Sequence, residues 1–198
     1  TLLTGTVLAQ AIPLLAAPVI GRLFDATQFA LFGTMMAMFN VLNVLVTGRY
    51  ELAVMVPTER SDAAHLVRGA LLFTGLASVV LYVVLLLLHR PIEHHTGIAR
   101  LDDVLVLLAL LALFAGLQQV LQQWLLRERA FPAIAQVKVV QALGITAITL
   151  SLGWLGWKEG LVLGYAGGWM LFTLGTIFLV LRKAPLPGTW DRQRSTSL

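Results

Sequence analysis

The 198-residue chain contains no cysteine. Disulfides, thiol catalysis and zinc fingers are therefore excluded. Charge is also scarce, with Asp, Glu, Lys and Arg making up 12% of residues. A soluble domain usually carries about 25%. There is no GxxxxGK[ST] loop for a nucleotide and no GxSxG nucleophile elbow. No nucleophile and base set is visible, so no catalytic residue, enzyme activity or cofactor is expected. The formal charge is only +4, and the basic residues sit at the ends of apolar runs. That pattern serves topology and gives no reason to expect nucleic acid as a partner.

Apolar residues fill the space that charge leaves. They make up 58% of the chain, and mean hydropathy is +0.84. Six windows hold no Asp, Glu, Lys or Arg: 1–21, 26–48, 69–88, 104–126, 139–157 and 160–181. Each is close to the ~20 residues a helix needs to cross a bilayer. Backbone in hydrocarbon must satisfy its own hydrogen bonds, so the spans are helices or barrel strands. Barrel strands are about half this length and alternate strictly; these runs do not. The expected fold is an all-α integral membrane protein, a six-transmembrane-helix bundle. Its spans fall at about 2–21, 29–48, 67–88, 104–126, 137–157 and 160–181, followed by a polar tail over 182–198. The segments "GRLFDATQ" and "GWKEG" read as tight turns, and "HRPIEHHTGIARLDD" as a longer loop.

Alternating the six spans puts ten of the fourteen basic residues on one side. The positive-inside rule makes that side, with both termini, cytoplasmic. Trp154 and Trp157 are expected at one interface and Trp124 near the other, as an aromatic belt.

Polar residues within the spans fall on faces. Thr6, Gln10, Pro13, Ala17 and Gly21 share one face of the first helix at 100° per residue. Gly33, Asn40, Asn43, Thr47 and Glu51 do so on the second. Mid-span amides are costly toward lipid, so these faces should look into the bundle or a wet cavity. Gln118, Gln119, Gln122 and Gln123 form a third polar flank. Interhelical hydrogen bonding and a hydrophilic path are both open readings. The path is favoured for the first two helices and hydrogen bonding for the glutamines. The third helix is almost uniformly apolar and is expected to face lipid. Gly160, Gly164 and Gly168 recur every fourth residue, a spacing that lets helices pack closely. His89, Glu93, His94 and His95 lie near one another, but adjacent histidines define no geometry, and no metal site is expected. Asp102 and Asp103 read as an interface cap.

The stretch "VLVTGRYELAVMVP" places Arg49 and Glu51 between apolar flanks. A second helix that starts near Phe29 can run on to Pro57, whose ring ends it. On such a helix Glu51 continues the Asn40 face and Arg49 points nearly opposite. Arg49 is then either a snorkelling anchor or a cation that meets an anionic head group.

Residues 1–181 resemble bacterial lipopolysaccharide and O-antigen flippases of the multidrug/oligosaccharidyl-lipid/polysaccharide exporter superfamily. "GRYELAVMVP" and "QQVLQQWLLRERAFPAIAQVKVVQAL" carry the likeness, and "RYELA" is its most specific piece. The resemblance implies a bacterial inner-membrane protein that moves a glycan linked to undecaprenyl diphosphate between leaflets by alternating access. It implies two six-helix lobes, with the first two helices of each lining the cavity. Cavity arginines in such proteins bind the diphosphate, and Arg22 and Arg49 match basic positions flanking those helices. Gln10, Asn40, Asn43 and Glu51 complete the expected substrate face. With six spans and a polar tail, the chain looks like the N-terminal lobe. Its expected partners are the lipid-linked glycan, membrane lipids and a second six-helix lobe. Two other readings stay open. One is a drug exporter lobe, which should carry acidic residues within spans. The other is a non-transporting assembly subunit that uses the glycine face.

Overall fold

In the computed structural model the backbone is described for residues 2–96 and 101–186, and side chains for 5–87 and 105–186. Six helices follow in order: α1 (Leu2–Leu23), α2 (Ala26–Thr47), α3 (Arg60–Thr96), α4 (Leu101–Arg127), α5 (Phe131–Trp154) and α6 (Gly160–Lys183). A 3-10 segment, Tyr50–Met55, joins α2 to α3. All six helices contain stretches long and apolar enough to cross a membrane, and no strand occurs among the described residues. The chain is an all-α, multi-pass membrane protein.

Local chemistry sets the helix ends. At the α1–α2 turn, the Gln28 amide donates to Asp25 Oδ1 at 2.9 Å and the Asp25 amide donates to Gln28 Oε1 at 2.8 Å. This reciprocal cap satisfies two amides that the first turn of α2 leaves free. Gly48 ends α2 in the left-handed region, at φ 53°, and its amide donates to Val44 O. Pro132 occupies the first turn of α5, where its missing N–H costs nothing.

α4 is the centre of the bundle. More than half of its most apolar stretch, 56%, is buried, against none of the corresponding stretch of α1. α4 packs on α3, α6 and α2, and the 3-10 segment closes one end. At that end Val54, Val67, Val120, Trp124, Ile134 and Val180 form one core. Met35, Phe39, Leu105, Leu108, Val162 and Ala166 form a second towards the other end. α1 lies on the outside against α5 and makes no comparable contact with α2.

Glycine sets the closest helix pair. A Cβ at Gly164 would stand 2.8 Å from the Thr149 Cα, and one at Gly168 2.9 Å from the Ile145 Cα. At Gly160 it would meet the Phe24 ring at 2.9 Å. α5 and α6 thus touch backbone to backbone. The glycine face is taken up by α5, and an assembly role cannot use it as a free surface.

Three expectations change. The third helix runs from Arg60 to Thr96, so much of "HRPIEHHTGIARLDD" continues the helix. The side chains of His89, Glu93, His94, His95, Asp102 and Asp103 lie outside the described residues. Trp124 is fully buried and donates to Ala184 O at 2.8 Å. It belongs to the core and not to an interfacial belt, because its N–H finds a carbonyl at the end of α6. The second helix does not reach Pro57: it stops at Thr47, and both Gly48 and Arg49 adopt positive φ. Helical periodicity is lost there, which turns Glu51 away from the Asn40 face.

Candidate functional site: a groove between the first two helices

The spacing of α1 and α2 produces the site. They share a turn, then part, because α1 leans on α5 while α2 leans on α4 and α3. Between them is a cavity of ≈ 360 Å³. Pro13, Ala17 and Ile20 of α1 form one wall, and Phe29 and Phe32 of α2 the other. Ala142, Thr146 and Thr149 of α5 and Tyr165 of α6 form the floor. Tyr165 is held edge-on by Phe32 at 5.6 Å and Phe39 at 6.3 Å, so the floor rests on a rigid aromatic cluster.

None of the expected polar side chains lines the cavity itself, whose walls are almost wholly apolar; Gln10, Asn40 and Asn43 lie further along the two helices. Gln10 lies seven residues from Ala17, and Asn40 eleven from Phe29, so each shares a helical face with a groove residue. Both Gln10 and Asn40 are exposed, and their side chains form no hydrogen bond among the described residues. Asn43 is half-buried, with Oδ1 buried and unbonded. Gln10 can be levelled against α5. Gly5 meets Ala135, and Gly153 meets Leu23 and Phe24. α1 and α5 therefore run parallel, and Gln10 lies at the level of residues 139–140.

The two expected arginines are not brought together. Arg22 is exposed at the end of α1, beside the start of α2. Arg49 is exposed just past the far end of α2. The 22 residues of α2 span ~33 Å at 1.5 Å each. One diphosphate cannot bridge them. Arg49 holds φ 57°, a conformation that costs a non-glycine residue roughly 1–2 kcal/mol. Its amide donates to Thr47 Oγ1 at 3.4 Å. Glu51 is buried, at 4% exposure, and its Oε2 is unbonded. The 3-10 segment that carries it packs on α4 and α3, away from the groove.

Gln118 is buried, and neither of its amide atoms is hydrogen-bonded. The expected interhelical bonding by the glutamines is therefore not seen at that residue. The bonds that do tie helices involve threonine, tryptophan and arginine. Thr173 Oγ1 stands 3.0 Å from Phe114 O of α4 and 2.9 Å from Trp169 O of its own helix, so its one hydrogen serves either carbonyl. Arg127 donates to Val54 O, Thr58 O and Glu59 O, each at 3.2 Å. Arg60 pairs with Glu128 at 2.8 Å and lies over the Trp124 ring. Arg60 and Arg127 are structural clamps that charge counting assigns only to topology.

The family model for polysaccharide biosynthesis proteins matches residues 19–182, and the chain belongs to that family. Its role therefore lies in the synthesis or transport of surface polysaccharide. No curated protein and no solved structure matches the chain.

Proposed function

We propose that this chain is part of a flippase. It carries an oligosaccharide linked to undecaprenyl diphosphate from the cytoplasmic to the periplasmic leaflet of the bacterial inner membrane. The separation of α1 from α2 carries the reading. An open groove between two spans lets a sugar head travel inside while its lipid tail stays in the bilayer. Gln10, Asn40 and Asn43 offer hydrogen bonds to sugar hydroxyls along the way. The transport is movement without bond chemistry, and no catalytic residue is assigned.

In this reading the Arg49 end is cytoplasmic, as the basic residues favour. Arg49 receives the anionic head at the groove's entrance, and Arg22 stands at the exit. A second six-helix lobe closes the open side, since transporter sites commonly form between repeats. Family membership supports the polysaccharide assignment. The drug-exporter reading draws no support from Glu51, which stands behind the groove.

The test separates the Arg49 guanidinium from its backbone. Glycine tolerates φ 57°, so Arg49→Gly should keep or raise stability by ~1 kcal/mol. Surface polysaccharide should nevertheless fall sharply, with the protein level unchanged and lipid-linked units accumulating inside. Normal polysaccharide in that variant would remove Arg49 from the mechanism.

A further inference from the structure

The far side of α5 carries a second opening. Val137 and Val140 of α5 and Leu171, Gly175 and Leu179 of α6 line a crevice of ≈ 350 Å³, and Gln136 supplies its one polar side chain. These α5 residues lie roughly half a turn round the helix from Ala142, Ile145 and Thr146 of the groove. A lobe that closes the groove therefore leaves the crevice facing the bilayer. Gly175 gives the crevice its room, since a Cβ there would meet nothing within 4 Å. From Leu171 to Leu179 its wall runs ~12 Å along α6, at 1.5 Å per residue.

One end of this apolar slot carries charge. Arg182 follows Leu171, Gly175 and Phe178 at steps of four, three and four residues, so all four share a helical face. It stands in the last turn of α6, about 200° round from Val180. Val180 is buried in the core, so Arg182 points outward. Its guanidinium lies 4.3 Å from the centre of the Phe178 ring, and that cation–π contact holds it at the mouth of the slot. Arg182 is exposed and has no carboxylate partner among the described residues. Gly164 faces Thr149 and Gly168 faces Ile145. Nine residues further along each helix, Gln136 comes level with residue 177, next to Phe178. The amide and the cation thus mark the same end. A phospholipid has the matching form: an acyl chain for the slot, ester carbonyls for an amide and a phosphate for a guanidinium. A zwitterionic head group brings its own cation and gains less from Arg182.

We propose that the α5–α6 crevice binds an anionic phospholipid. Its acyl chain lies between Val140 and Gly175, its phosphate meets Arg182, and Gln136 donates to an ester carbonyl. With the α6 end cytoplasmic, as the basic residues favour, the lipid belongs to the cytoplasmic leaflet. The site is separate from the groove, and the inference does not rest on the flippase reading.

The full chain in phosphatidylcholine nanodiscs provides the test. A trace of phosphatidylglycerol or phosphatidylcholine with a diazirine in its acyl chain is added and photolysed, and the labelled peptides are identified by mass spectrometry. In the unmutated protein, the phosphatidylglycerol probe should label residues 136–140 and 171–179 roughly fivefold more than the phosphatidylcholine probe, the gain expected from one basic side chain at an anionic lipid. Arg182→Gln should bring the two probes level, and Arg182→Lys should keep most of the difference. Gly175→Leu should abolish labelling by both probes at an unchanged melting temperature, because its side chain fills the slot without a clash. Equal labelling of the wild type by the two probes, or a preference that survives Arg182→Gln, overturns the anionic assignment. Labelling of Gly175→Leu equal to that of the wild type overturns the place of the acyl chain. A wild type that neither probe labels has its crevice covered by protein, and the proposal fails outright.

Discussion

The two sides of this bundle are built differently. On the α3–α4–α6 side, polar groups reach across between helices. Arg127 binds three carbonyls of the segment before α3, Trp124 binds the end of α6, and Arg60 ties α3 to Glu128. On the α1–α2 side, the side chains of Gln10 and Asn40 form no hydrogen bond among the described residues, and α1 packs mainly on α5. Apolar burial gives no hydrophobic driving force between helices in lipid, because the tails are as apolar as leucine; close van der Waals packing and hydrogen bonds do the holding. Cross-helix hydrogen bonds and small-residue contacts therefore mark where the bundle is meant to stay fixed. Their scarcity between α1 and α2 marks where it can admit something else.

Mutations should divide along the same line. Trp124→Ala removes a fully buried indole and its bond to Ala184 O, and should cost about 3–5 kcal/mol. A fall in melting temperature and a loss of extractable protein would show it. Gly164→Leu forces a side chain into the Thr149 backbone and should cost about 1–3 kcal/mol by overpacking, read as a lower melting temperature in detergent. Arg127→Ala frees three carbonyls at once and should cost roughly 1.5–3 kcal/mol; limited proteolysis between Val54 and Arg60 would report the loosened segment. Asn40→Ala should change stability by less than ~0.5 kcal/mol yet reduce surface polysaccharide. An Asn40→Ala variant that melts early would place Asn40 in the scaffold and erase the contrast.

Much of the fold was legible from composition. Charge-free runs of span length can only be helices in a bilayer, so the six spans and their order followed from hydropathy. The glycine spacing on α6 likewise pointed to close packing. The path of the chain after Thr47 was not legible. Two consecutive residues at positive φ, one of them Arg49, break a periodicity that the apolar pattern carries on to Pro57, and Glu51 is buried as a result. Trp124 misled because an indole suits an interface and a core equally well, and only the Ala184 carbonyl decides. For the candidate site, the faces of Gln10 and Asn40 could be read from 100° steps. Arg22 and Arg49 flank opposite ends of the second span, so alternation of the spans already sets them on opposite sides of the membrane, and the hairpin agrees.

The central claim is that the groove between α1 and α2 is open to water while the outer face of α3 is not. A chain without cysteine allows a direct measurement. Gln10→Cys, Asn40→Cys and Leu76→Cys are made singly and treated with a membrane-impermeant maleimide in vesicles with both faces accessible. Leu76 is 69% exposed on α3 and so should meet lipid. The account predicts labelling at 10 and 40 and none at 76. Protection at 10 and 40 equal to that at 76 would contradict it.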